Sequence, residues 1–129
     1  KLKHAILLRA VEMENIEPID VLVTAENVDQ LFDESNEGWE LQDARNEIRC
    51  GQVETGVACE WSRHYESKAV AAQMPDGSWV GWTYWFGGGK HGEPEAIDWI
   101  DEAYDLICTE EVKVMTVRTF TKNTDKTGV

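Results

Sequence analysis

The chain has 129 residues and a formal net charge of −13, from 25 acidic residues against 12 Lys and Arg. That length suits one domain able to bury roughly two-thirds of the surface its unfolded chain would expose, and a hydrophobic share of 42% with six tryptophans excludes a disordered chain. The charge argues against direct binding to nucleic-acid backbone or to an anionic membrane surface, both of which need protein cations, and leaves a basic protein, a cation or simple solubility as its explanation.

The run HAILLRAVEME fits a helix, with Leu2, Ala5, Ile6, Arg9 and Met13 on one side, or a buried strand through AILL. Pro18 then disfavours helix at Glu17. Residues 24–37 read as a helix. Thr24 is the N-cap, Ala25, Val28, Leu31, Phe32 and Ser35 form the buried side, and Gly38 is the stop. Residues 39–56 are weakly patterned, with Leu41, Ala44 and Ile48 able to line a short helix. HYESKAVAAQM and WVGWTYWF read as two strands joined by MPDGSW, where proline followed by Asp-Gly signals a hairpin turn. Both faces of WVGWTYWF are apolar or aromatic, as for a central strand covered on both sides. A helix is expected over 94–103, with Pro94 at its first position and Ala96, Ile97, Ile100, Ala103 and Tyr104 buried. YDLIC and VKVMTVRTFT read as strands around a turn at TEE. No run approaches the ~18–20 apolar residues of a membrane helix, and none reads as a signal peptide.

The chemistry-bearing features are few. Gly87–Gly89 and Lys90 before a helix start suggest a phosphate loop, but the Walker pattern is missing and Glu93 and Glu95 would repel a dianion. The loop therefore reads as a turn with glycines at positive φ, in which Lys90 and His91 stay open to a functional role. Cys50, Cys59 and His64 lack zinc-finger spacing, so no metal or cofactor is expected. Three cysteines fit a reducing cytoplasm and read as small buried hydrophobes. Two acidic faces are the sharpest feature: Glu26, Asp29, Asp33 and Glu37 on the first expected helix, and Asp98, Asp101, Glu102 and Asp105 on the second. Carboxylates three and four residues apart share one helix face and could present a row of charge to a cationic partner. Clustered aromatics around Trp82 read mainly as core, with a small-molecule or protein-binding groove as the alternative.

The block DGSWVGWTYWFGGGKHGEPEAIDWIDEAY, followed by VMTVRTF, resembles small, mostly uncharacterised accessory proteins of bacteriophages, prophages and related mobile elements, over residues 64–121. The resemblance brings no catalytic residues. It implies a bacterial or phage cytoplasmic setting, in which small acidic proteins include nucleic-acid mimics and inhibitors of host defence.

The sequence thus predicts a single α+β domain over 1–121 and a loose polar tail over 122–129. An antiparallel sheet of about four strands carries two packed helices. The expected function is non-enzymatic binding of a basic protein. The alternatives are a small-ligand binder or enzyme using Lys90 and His91 beside the aromatic strand, and a homo-oligomeric accessory protein.

Overall fold

The computed structural model describes residues 1–123. Three helices come first: α1 (Leu2–Glu12), α2 (Val28–Ser35) and α3 (Gln42–Arg49). Four strands follow: β1 (Val53–Glu54), β2 (Glu66–Gln73), β3 (Trp79–Phe86) and β4 (Tyr104–Leu106). They form one open antiparallel sheet in the order β1-β2-β3-β4. The α+β class and the antiparallel sheet are as the sequence predicts, with three helices rather than two. The tail expected over 122–129 lies, from residue 124 on, outside the described residues.

The ambiguous N-terminal run is helix α1. Leu2, Ile6, Leu7 and Ala10 fall on one stripe and are buried, which is the spacing of 3.6 residues per turn rather than the alternation of a strand. Arg9 ties α1 to α3, its Nε and Nη2 donating to the two carboxylate oxygens of Glu47 at 2.8 and 3.1 Å. This forked geometry is available to arginine and not to lysine.

Helix α2 starts later than the sequence suggests. Thr24 does not cap it with its hydroxyl. Instead Asn27 Oδ1 accepts the Thr24 N–H at 2.7 Å and Asn27 Nδ2 donates to the Leu22 carbonyl at 2.8 Å, which fixes a turn before Val28. Its far end is also different: Asn36 is the C-cap, and the positive φ falls on Trp39, at 67°, not on Gly38. The short helix allowed for in residues 39–56 is α3, held by buried Leu41 and Ala44.

The hairpin follows from its turn residues. Gly77 N–H donates to the Met74 carbonyl at 2.9 Å across Pro75-Asp76, and Asp76 Oδ1 accepts the Ser78 N–H. Proline presets the first central φ of such a turn, and glycine takes the left-handed position that ends it. β2 and β3 then pair along their whole length, from Gln73 with Trp79 to Glu66 with Phe86. Val70, Ala72, Val80 and Trp82 point to the helices and pack with Ile6, Leu7, Phe32, Leu41 and Ala44. Ala69, Ala71 and Trp85 on the opposite face are buried too, so β3 is a central strand covered on both sides.

Two expected elements are corrected. Residues 94–103 are not an α-helix; only Pro94–Ala96 form a single 3-10 turn, and Ile97 is extended with ψ 132°. Asp98 Oδ1 accepts the Asp101 N–H at 3.3 Å, a side-chain turn that competes with helix. A helix here would also stack Asp98, Asp101, Glu102 and Asp105 along one face at a few tenths of a kcal/mol per like pair. Leaving the helix lets Trp99 bury to 2% exposure against the sheet. Residues 112–121 are the second correction. They form no strand and are exposed throughout, because β-branched residues make a strand only when another strand supplies hydrogen bonds.

Candidate functional site

The glycine loop follows β3 directly. Gly87, Gly88 and Gly89 have φ of 77°, 86° and 72°, as expected of a turn that only glycine adopts without strain. The spacing Gly87-x-Gly89-x-x-Gly92 after a strand has the form of a dinucleotide-binding loop. A dinucleotide loop, however, opens a helix whose first N–H groups hold the pyrophosphate, and here only a three-residue 3-10 turn follows, beside Glu93 and Glu95. Lys90 and His91 are exposed at the loop tip and make no side-chain hydrogen bond or ion pair among the described residues. The loop is instead anchored at its base, where the Glu93 N–H donates to Tyr65 Oη at 3.2 Å.

The acidic residues separate into different places. Glu26, Asp33 and Glu37 are exposed on or beside α2. Asp29, Asp101 and Asp105 line a cleft of about 490 Å³ between the start of α1 and β4, with Lys1 and Lys3. Charge there is partly neutralised. Lys3 Nζ lies 2.8 Å from Asp29 Oδ1 and 5.4 Å from the centroid of the Phe32 ring, and Lys1 Nζ lies 3.5 Å from Asp105. The hydrogen bond from Lys3, reinforced by its charge, holds the Asp29 carboxyl below the usual aspartate value.

Asp98 and Glu102 lie elsewhere. They line a groove of about 530 Å³ together with Glu60, Cys59, Thr83, Trp85, Trp99 and Tyr104. The single acidic helix face expected over residues 98–105 is therefore split between two clefts. In the second one, Glu60, Asp98 and Glu102 have no ion-pair partner among the described residues, where only Glu12, Asp29, Glu47, Glu54, Asp76 and Asp105 are so paired. The floor is rigid. Trp99 stands against Trp82, whose Nε1 donates to the Arg49 carbonyl at 2.9 Å. The Trp99 Nε1 is itself buried without an acceptor among the described residues. Among the described residues no three His, Cys, Asp or Glu side chains converge as a metal ion would require, so these carboxylates are spread along a groove and not gathered at a point.

Sequence reasoning missed Glu60, Trp85 and Tyr104 as partners of Asp98 and Glu102. A reading confined to local windows could not find them, since Glu60 and Glu102 are far apart in the chain and come to one groove only in the folded protein. It also expected buried cysteines, and Cys50, Cys59 and Cys108 are all free and exposed. No helix of the described residues is long and apolar enough to cross a membrane. No family model, curated protein or solved structure matches the chain, and the chemistry of the groove is left to speak for its function.

Proposed function

We propose that this chain is a non-enzymatic binding protein whose acidic, aromatic groove receives a basic segment of a partner protein. The observation that carries this reading is the set of unpaired carboxylates, Glu60, Asp98 and Glu102, beside Trp85, Trp99 and Tyr104 in one groove. Lysine and arginine have apolar stems and charged heads. The half-buried Tyr104 ring, backed by buried Trp85 and Trp99, covers the stem and attracts the cation, while carboxylates at the rim take the head. A volume of about 530 Å³ admits side chains of this size.

The net charge of −13 adds long-range steering of a cationic partner toward the chain. Exposed Glu26, Asp33 and Glu37 add acidic surface elsewhere, on or beside α2. A partner that ordinarily grips nucleic-acid phosphate has this complementarity, and the phage and mobile-element setting implied by residues 64–121 supplies such partners. Mimicry of nucleic acid, or inhibition of a basic host-defence protein, is the form of the function we favour.

The test is titration with an octa-arginine peptide, followed by tryptophan fluorescence. Asp98→Asn/Glu102→Gln should weaken binding at least about tenfold, since charged partners across an interface couple by more than a kcal/mol. Asp33→Asn/Glu37→Gln, with the same change in net charge, should weaken it far less. Equal effects of the two pairs, or an affinity insensitive to salt, would show that the groove is not the site.

A further inference from the structure

Residues 107–122 leave β4 and make no hydrogen bond or ion pair with the rest of the described residues. Val114 is 96% exposed and Phe120 87%. The stretch from Val112 to Thr121 has no proline or glycine and is rich in Val and Thr, the composition of a strand. Its charge is also opposite to that of the chain as a whole: none of the 25 acidic residues falls between Val112 and Lys122, where Lys113, Arg118 and Lys122 do. An exposed apolar and basic segment of strand-like composition and an acidic, aromatic groove are thus carried by the same chain.

We propose that residues 112–121 of one copy dock into the groove of a second copy, reciprocally, to give a two-fold dimer. This deepens the reading above, on which it rests, by naming a partner for the same groove. On a strand Val114, Arg118 and Phe120 share one face. Arg118 meets Asp98, Glu102 and Glu60, and Val114 and Phe120 lie against Trp85, Trp99 and Tyr104, while Lys113 on the other face adds its charge at the groove rim. The segment's own groove does not hold it, as its exposure shows. The five residues from Ile107 to Glu111 span about 17 Å when extended, enough to carry the segment clear of its own sheet. Reciprocal exchange closes the assembly, because each copy gives one segment and fills one groove. It also satisfies backbone groups that a lone strand leaves to water, the principle of strand addition at a sheet.

The test is light scattering and sedimentation of the full chain from micromolar to hundreds of micromolar, with charge exchange. The wild-type chain should form a dimer that weakens with salt. Lys113→Glu/Arg118→Glu and Asp98→Lys/Glu102→Lys should each weaken self-association at least about tenfold. Mixing the two variants should restore a heterodimer, since its one charge-reversed and its one native segment–groove contact are both complementary. Circular dichroism and thermal melting of each variant show that the body is folded. A wild-type chain that stays monomeric throughout, a mixture that fails to pair, or assemblies that keep growing with concentration would each overturn the proposal. Octa-arginine binding by a monomer, lost on Asp98→Asn/Glu102→Gln, would leave the basic-partner reading intact while removing this one.

Discussion

Trp82 and Trp99 pack with ring centroids 5.2 Å apart and planes tilted by 43°. Neither is more than 2% exposed, and they join the centre of β3 to the segment that carries Asp98 and Glu102. Tilted aromatic pairs add to the stability that area burial gives. The groove therefore stands on the same contact that closes the core.

Trp82 and Trp99 should respond differently to loss of the indole N–H. Trp82→Phe strands the Arg49 carbonyl that now accepts a bond of 2.9 Å, at a cost of about 1–3 kcal/mol beyond the volume change. Trp99→Phe removes a buried donor that has no acceptor among the described residues and should be the milder of the two. Alanine at either position should cost about 3–5 kcal/mol. Urea denaturation of the four variants measures this; equal costs for the two phenylalanine variants would contradict the hydrogen-bond account.

Within the glycine loop, Gly88 and Gly89 should separate steric from conformational cost. Both have positive φ, but a methyl group at Gly88 would collide with the Tyr65 ring whereas none of the described atoms lies within 4 Å of one at Gly89. Gly89→Ala should cost about 1 kcal/mol from backbone strain alone, and Gly88→Ala about 2 kcal/mol or more. Thermal melting ranks them, and the reverse order would mean that the loop sits differently on Tyr65.

Lys90→Ala/His91→Ala should leave stability within about 0.5 kcal/mol, as for exposed residues without partners. Octa-arginine binding should also persist, because neither residue lines the groove. A loss of binding with an intact fold would move the functional site to the loop.

The Asp29–Lys3 pair sets a pH dependence. A carboxyl whose folded value lies below its ordinary 3.8 stabilises the fold above that value and stops doing so as pH falls through the lowered one. Both residues are at the surface, so the effect is small and screened by salt. The melting-temperature gap between wild type and Asp29→Asn should be open at pH 7 and closed by strong acid. Glu47, lowered chiefly by its hydrogen bond from Arg9, should behave likewise below its ordinary 4.5. A gap that persists in strong acid would mean that Asp29 acts through packing.

What local sequence determined was the set of elements whose signal lies within a few residues. The Pro75-Asp76-Gly77 turn fixed the β2–β3 hairpin and its register, and the apolar texture of WVGWTYWF marked β3 as a central strand. The apolar side of α2 was visible in Val28, Leu31 and Phe32 because helical spacing needs no distant partner. Tertiary structure alone decided the stretch after the glycine loop. Ala96, Ile97, Ile100 and Ala103 have helical spacing, yet burying Trp99 on Trp82 outweighed a short helix with four carboxylates on one face. The same decision sent Asp98 and Glu102 to one groove and Asp101 and Asp105 to another. Residues 112–121 show the converse limit: their composition specifies a strand, but a strand is a pairing between segments, and this one has no partner within the described residues.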